Sequence, residues 1–257
     1  ELTDEVVNFE LSSGGLVWSG NARPIPQVRA GFIDFVDIPF TKGWVQIKGE
    51  LAYGKFMDND FLRDHYNYYN QYITTDALYH HKSISFRSNP DKPFVVTIGA
   101  ELAAQFGGTK RYYKEGVLID SLTMKSPTRL KDFFKILFPS SGDGQTNEGD
   151  QAYYYGNHVG QWNLSAEYRF KDNSSVRGYF EWYYDDASGM GKFNGWDGLW
   201  GLEYKSGKKN WLSNVVLEYL DMTNQSGPLN WCPSDYNDPK LDIEATGADD
   251  YYNNYFY

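Results

Sequence analysis

The sequence predicts an all-β fold: an antiparallel transmembrane β-barrel, or a large part of one, with long extracellular loops. Apolar and polar residues alternate with a period of two in one segment after another, which is the pattern of strands with two different faces. Several of these segments are longer than the about 5 or 6 residues of soluble strands and suit the roughly 9–11 residues of a tilted membrane strand. Short connections also alternate with long ones, as in outer-membrane barrels.

The clearest alternation is the hairpin at 161–186, QWNLSAEYRFKDNSSVRGYFEWYYDD. Trp162 and Leu164 share one face of its first strand, and Asn163 and Ser165 share the other. One face of the hairpin is therefore expected to meet lipid and the other a wet lumen. The same alternation recurs in segments 45–53, 94–106, 198–205 and 211–221.

Aromatic residues make up 18% of the chain, more than a soluble core of this length needs. In the hairpin, Trp162, Trp182 and Tyr184 lie near one end of the apolar face, and Tyr168 and Phe170 lie near the other. Amphipathic rings at both ends of an apolar band are typical of the aromatic girdles at membrane interfaces.

The connections differ in length. KDNSS (171–175) and SGKKN (206–210) are short turns, whereas 186–197 and 222–250 are long and polar. This asymmetry predicts periplasmic turns at one end and extracellular loops at the other. Two further segments are interpreted as long polar connections, 57–81 and 107–157.

A short helix is predicted at 127–138, PTRLKDFFKILF, within the second of these connections. Its apolar residues are assigned to one side, so the helix is expected to pack on the barrel, inside its mouth or at the lipid interface. The residues of that side are Leu130, Phe133, Phe134, Leu137 and Phe138.

No repeat, low-complexity linker or composition break divides the chain, so residues 1–257 are expected to be a single outer-membrane β-barrel domain. ELTDEVVNFE at the start has no signal-peptide pattern, and YYNNYFY at the end resembles a loop leading to another strand. We therefore expect the domain to be incomplete at both ends.

Composition excludes several functions. A net charge of -10 offers no basic patch for nucleic acid. The single Cys232 rules out an intramolecular disulfide framework. His65, His80 and His81 have no metal-ligand spacing and are interpreted as loop histidines, while His158 is interpreted as a structural residue at a strand start. We expect neither a metal nor a cofactor.

Charges of both signs are assigned to the lumen, where we expect them to form an ion-pair network. These residues are Lys48, Glu50, Glu101, Arg169, Arg177, Glu181 and Glu203.

Sugar-binding surfaces combine aromatic faces, which cover apolar CH patches, with carboxylates and amides that bond to hydroxyls. The loop 183–197 has this composition and is the predicted polysaccharide site; in the alternative interpretation its Asp residues cap turns and Trp196 anchors at the membrane interface. The predicted ligand-binding residues are Tyr183, Asp185, Asp186, Asn194, Trp196 and Asp197.

Motifs spread over most of the chain resemble those of the capsule-assembly Wzi-type outer-membrane proteins of Gram-negative bacteria. The most specific are GNHVGQWN (156–163), YYDDASGMG (183–191) with DGLWG (197–201), and TNQSGP (223–228), in that order. The resemblance implies a cell outer-membrane barrel that binds capsular or other extracellular polysaccharide and supports capsule attachment and assembly. It implies no enzyme activity, and its partners would be polysaccharide, outer-membrane lipid and other outer-membrane proteins.

Two other functions are left open by the residues. One is a porin-like channel or transport component. The other is a soluble β-sandwich lectin or a glycosidase, in which Asp185 or Glu181 would pair with Glu101 at about 5–9.5 Å. GxSxG, HExxH and P-loop motifs are absent, which removes the commonest hydrolase and nucleotide-binding classes.

Overall fold

The computed structural model describes residues 7–8, 10–12, 14–17, 24–57, 59–69, 71–144, 155–184, 190, 195–208 and 211–223. These residues form one antiparallel sheet of 10 strands with few helices, which confirms the all-β antiparallel prediction. Within this part of the chain, no helix is long and apolar enough to cross a membrane.

The sheet is a meander in which each long strand pairs with the next long strand along the chain. The first and last strands of the path are its two edges within the described residues. The long strands are β1 (Gln27–Asp37), β2 (Val45–Lys55), β3 (Gln71–Ser88), β4 (Phe94–Lys114), β7 (Asn157–Arg169), β8 (Ser175–Tyr184), β9 (Gly198–Lys205) and β10 (Asn214–Asp221). Two short strands, β5 (Val117–Leu118) and β6 (Met124–Lys125), pair with β4.

The predicted alternation of connections is confirmed. Those between β1 and β2, β3 and β4, β7 and β8, and β9 and β10 are short and lie at one end of the sheet, the short-turn end. Those between β2 and β3, β4 and β7, and β8 and β9 are longer and lie at the other, the long-connection end.

Two segments interpreted as connections are partly strand. β3 begins at Gln71, and β4 runs on to Lys114 with Tyr113 paired to Gln71. His80 and His81 are therefore not loop histidines: they lie in β3 and are fully or almost fully buried. The first part of β3 is difficult to predict from the sequence because segment 57–81 is largely polar. Only alternate residues of this part, such as Ile73 and Ala77, are apolar and buried.

Three helices were found in the described residues: α1 (Phe61–Tyr66), a 3-10 turn at Asp120–Leu122, and α2 (Leu130–Leu137). α2 confirms the helix predicted at 127–138, within narrower bounds.

The two faces of the sheet have opposite character. On the apolar face, a row of register partners crosses all eight long strands without one charged residue. Most of these side chains are exposed, as Ile98 is at 53%. We call this set the apolar row: Val36, Ile47, Phe86, Ile98, Leu164, Phe180, Trp200 and Tyr219.

The polar face contains a continuous network of ion pairs and hydrogen bonds. Arg29 Nε donates to Glu50 at 2.9 Å, and the His81 ring lies between Glu50 at 3.2 Å and Glu101 at 3.3 Å. Gln161 donates to Glu101 in turn. The predicted ion pairs are thus confirmed for Glu50, which pairs with Arg29, and for Arg177 with Glu203 at 2.6 Å, whereas Glu101 bonds to His81 and Gln161. Arg169 pairs instead with Glu167, near the exposed short-turn end.

The described residues of 7–17, here called the N-terminal segment, lie across this polar face over β7 to β10. The backbone N–H of Leu16 donates to Glu181 at 3.0 Å, and that of Val17 donates to Gln161 at 3.2 Å. Ser12 donates to Glu218 at 2.6 Å, and Leu16 packs with Val7 against the sheet. The buried carboxylate of Glu181 therefore has a backbone donor that no periodicity in the sequence predicts.

α2 packs on the apolar face, beside β3 and β4, and not on the polar face. Tyr53 donates to the carbonyl of Phe133 at 3.1 Å. Lys82 donates to the carbonyls of Ile136 and Leu137 at 2.9 and 2.5 Å. The helix therefore lies on the side of the sheet opposite the ion-pair network, because Tyr53 and Lys82 alternate with the polar-face residues of their strands.

The single apolar side assigned to α2 is wrong. Phe133 and Ile136 face the sheet, where Ile136 is fully buried in a cluster with Phe106 and Tyr155. A second set of apolar side chains is exposed: Phe134, which is about 100° around the helix from Phe133, Leu130 in the first turn, and Phe138, which directly follows α2. The α2 stripe consists of Leu130, Phe134 and Phe138, exposed by 76%, 56% and 70%.

Candidate functional site

The three predicted site residues that the structure describes lie at the long-connection end, but they do not form one surface. Tyr183 is half-buried on the polar face of β8, with Gln161 as its register partner. Trp196 and Asp197 precede β9. The other three, Asp185, Asp186 and Asn194, lie outside the described residues.

Trp196 and Asp197 have opposite environments. The Trp196 ring is 71% exposed and lies 5.9 Å from Trp200, whose indole N–H donates to the Trp196 carbonyl at 3.1 Å. Because Trp200 belongs to the apolar row, Trp196 extends the aromatic edge of that face. Asp197 is completely buried, so its carboxylate does not face solvent, where a long glycan would lie.

A cluster of exposed tyrosines lies at the same end, on α1 and the outer part of the β3 and β4 pair. The ring centroids of Tyr66 and Tyr69 lie 6.0 Å apart, and those of Tyr72 on β3 and Tyr112 on β4 lie 5.1 Å apart. Tyr68, between them in sequence, is 68% exposed. We call these residues the tyrosine cluster.

The cluster is held outward by strand length. β3 and β4 stay paired from Leu78 and Phe106 out to Gln71 and Tyr113, beyond the last pair of β2 with β3 at Lys55. The connection after β4 is joined to the one before β3, since the N–H of Gly116 donates to the Asn67 carbonyl at 3.1 Å. Tyr72 and Tyr112 thus stand on a paired extension of the sheet, and the other three tyrosines lie on α1 and the connection that is bonded to it.

Charged side chains surround the cluster in pairs. Arg63 lies 3.1 Å from Asp60 and 2.9 Å from Asp64, and Lys55 lies 2.6 Å from Asp76. All these charged side chains are largely exposed, so their oxygen and nitrogen atoms are accessible to hydroxyl groups. Aromatic faces beside such groups can bind a polyhydroxylated ligand.

Sequence reasoning missed this cluster as a binding site, although a signal was present. HYNYYNQY (65–72) places four tyrosines in eight residues. The segment was interpreted only as a connection, because its alternation is broken by polar residues.

No known protein family, curated protein or solved structure matches this chain.

The carboxylates considered as a glycosidase pair are occupied by other contacts. Glu101 bonds to His81 and Gln161, and Glu181 accepts the N–H of Leu16. The two lie on β4 and β8 with β7 between them, and both are buried. This arrangement suits a structural network better than catalysis on a polymer.

No group of three or more His, Cys, Asp or Glu residues suited to a metal occurs in the part of the chain that the structure describes. A groove of about 450 Å³ opens at the short-turn end, beside Asn8, Glu10, Lys205 and Lys208. It is lined by small and charged residues and lies away from the tyrosine cluster.

Proposed function

We propose that this chain is an outer-membrane β-barrel, or a large part of one, that binds capsular or other extracellular polysaccharide at its long-connection end and supports capsule attachment. The observation that carries the membrane part is the apolar row, which crosses all eight long strands without a charged residue and exposes its side chain on six of them, all but Ile47 and Phe180. Soluble monomers rarely expose apolar patches larger than a few hundred Å². Lipid in contact with this face would remove the cost of exposing it to water.

Two groups of aromatic side chains on the apolar face support the same location. Near the long-connection end, the ring centroids of Trp162 and Trp182 lie 5.9 Å apart, and Trp196 is exposed. Near the short-turn end, exposed rings include Phe94, Tyr168, Phe170 and Tyr204. From Trp162 to Phe170 the chain rises about 27 Å, or roughly 20 Å along the normal of a membrane in which strands tilt by about 40°, which is close to the apolar band of such proteins.

A membrane location also requires both sheet edges to be paired, since backbone groups in lipid find no water. β1 and β10, the edge strands of the described sheet, would pair with each other or with further strands. The polar face would then line the interior. Its hydrogen-bond network and the N-terminal segment that lies on it favour a filled interior over an open channel.

The polysaccharide part rests on the tyrosine cluster. Its rings are exposed at the end with the long connections, beyond the aromatic group of Trp162 and Trp182, and would face the cell exterior. Tyrosine combines an apolar face with a polar tip, so a row of such rings can stack on sugar rings and bond to their hydroxyls. Repeated rings suit a repeating polymer.

The first test combines fractionation with gel mobility. Outer-membrane fractions extracted with detergent are run unboiled and boiled. Faster migration of the unboiled sample, confined to the outer-membrane fraction, is expected of a closed barrel. A protein that is soluble without detergent contradicts the membrane proposal.

The second test measures binding of purified bacterial capsular polysaccharides to the detergent-solubilised protein. We expect Tyr69→Ala and Tyr72→Ala each to weaken binding about tenfold, equivalent to about 1.4 kcal/mol. Tyr204→Ala, which removes an exposed ring at the short-turn end, is the matched control and should bind normally. Equal loss in all three variants, or in none, contradicts the assignment of the site.

A further inference from the structure

α2 is attached to the sheet through Phe133, Ile136 and its C-terminal end. Its N-terminus is closed by the Asp132 side chain, which accepts the backbone N–H of Arg129 at 2.7 Å. Its C-terminal carbonyls accept two hydrogen bonds from Lys82, a cation that also favours the negative end of the helix dipole. The helix is therefore a rigid part of the apolar face.

The outward surface of this fixed helix is apolar. The three residues of the α2 stripe follow one another at four-residue intervals, and each is more than half exposed. In water this stripe would leave a leucine and two phenylalanines unburied on a helix of eight residues and the residue that follows it, although the helix already has a packed side. Such a surface indicates that another apolar phase covers it.

The position of α2 identifies that phase. Its contacts on β4 are Ala104 and Phe106, on the same face as Ile98 of the apolar row and beyond the Ala100 position that pairs with Trp162. The helix thus continues the apolar face toward the long-connection end, beyond the aromatic group of Trp162 and Trp182. Both surfaces face the same side of the sheet, so a bilayer that contacts one would also reach the other.

The charged side chains around the α2 stripe carry a net positive charge, which favours contact with an anionic lipid surface. Arg129, Lys131 and Lys135 outnumber the two carboxylates with which they pair, Asp132 and Asp143, although the chain as a whole has a net charge of -10. A short helix with Phe and Leu on one side and Lys and Arg beside them is typical of helices that lie in the headgroup region of a membrane.

We propose that α2 is an interfacial membrane helix, in which Leu130, Phe134 and Phe138 insert into the headgroup and acyl boundary of the bilayer while Lys131 faces the anionic headgroups. The inference rests on the proposed membrane location of the sheet. It adds a lipid contact outside the strands and fixes the depth of the long-connection end relative to the bilayer.

Site-directed spin labelling tests this contact. Single cysteines are introduced at Phe134, Lys131 and Ile98 in the full chain carrying Cys232→Ser, and each labelled protein is reconstituted in vesicles of phosphatidylcholine and phosphatidylglycerol. Collision with oxygen, which partitions into lipid, is compared with collision with a water-soluble nickel chelate. Ile98 reports on the sheet, and Lys131 is the matched control on the same helix.

We expect Ile98→Cys and Phe134→Cys labels to collide more with oxygen and Lys131→Cys labels more with nickel. A lipid-exposed Ile98 with a water-exposed Phe134 overturns the inference and leaves the membrane location intact. Shielding of Phe134 from both agents also overturns it, because a protein partner would then cover the stripe. Water exposure at Ile98 as well defeats the membrane proposal itself.

Discussion

The hydroxyl group of Tyr179 on β8 donates a hydrogen bond to Glu218 on β10, at 2.6 Å. The side chain reaches across the whole of β9 to do so and passes over Gly201, the register partner of both residues. Tyr179 is nearly completely buried and packs against Leu199 and Val7. This contact ties three strands and the N-terminal segment together on the polar face.

Gly201→Ala is expected to destabilise the protein by about 1–3 kcal/mol, because the added methyl group would overlap the Tyr179 ring and displace it from Glu218. Gly178→Ala is the matched control, since a Cβ atom there has no neighbour within 4 Å. Free energies of unfolding from urea titration of the detergent-solubilised proteins check this. Similar losses in both variants would mean that glycine flexibility, and not the space beneath Tyr179, sets the requirement.

Leu164→Arg is expected to prevent membrane assembly. Leu164 lies in the apolar row between Ile98 and Phe180, and an arginine at the middle of the bilayer costs about 2–4 kcal/mol. Ser165→Arg, one residue along on the polar face, should assemble normally. Gel mobility of unboiled outer-membrane fractions measures this, and equal assembly of the two variants would argue against lipid on the apolar face.

The central hairpin could be read from the sequence because its two strands alternate strictly and its turn is short. That pattern predicts which residues share a face, and in the structure Leu164 and Phe180 are register partners on the apolar face. The packing of α2 is harder to predict than the hairpin, because apolar residues cover two sides of the helix. Periodicity alone does not show which side contacts the sheet. The choice is made by partners distant in sequence, Tyr53 and Lys82.

The candidate site was only partly predictable, for a related reason. Composition selected Trp196 and Asp197, which lie at the same end of the sheet as the tyrosine cluster, but it could not show that Asp197 is buried or that Trp196 lies beside Trp200. The tyrosine cluster depends on the long pairing of β3 with β4, and the pattern of that extension is weak because of its polar residues.

Acid is expected to loosen α2 through Asp132. Burial alone would raise the pKa of this carboxyl group, but hydrogen bonds from the guanidinium and backbone N–H of Arg129, together with its charge, outweigh burial and lower the pKa below 3.8. A lowered pKa in the folded state stabilises the fold above the unfolded value of about 3.9, and this contribution is lost as the pH falls through the folded value. Amide protection factors of residues 130–137 should therefore fall in acid.

The Asp132→Asn variant distinguishes the effect of protonating Asp132 from the effect of protonating other carboxyl groups. The variant should show reduced protection of α2 already at neutral pH, by about 1.5–3 kcal/mol for the lost charge-assisted bonds, and little further loss in acid. Protection factors measured on the same segment in both proteins give the comparison. If amide protection of α2 falls in acid as much in the variant as in the parent protein, a group other than Asp132 causes the loss.

The N-terminal segment is expected to detach when Leu16 is replaced by Asp. Leu16 packs on the polar face against Tyr179 and Leu199, and its N–H bonds to the buried carboxylate of Glu181. An aspartate there would bring a second negative charge beside Glu181 and remove the apolar contact, and both effects disfavour docking. Hydrogen exchange of residues 7–17 should become faster.

Leu11→Asp, at an exposed position of the same segment, should leave exchange unchanged, because no buried contact is lost. Fast exchange in the parent protein itself would show that the segment does not stay on the sheet, and the case for a filled interior would then weaken.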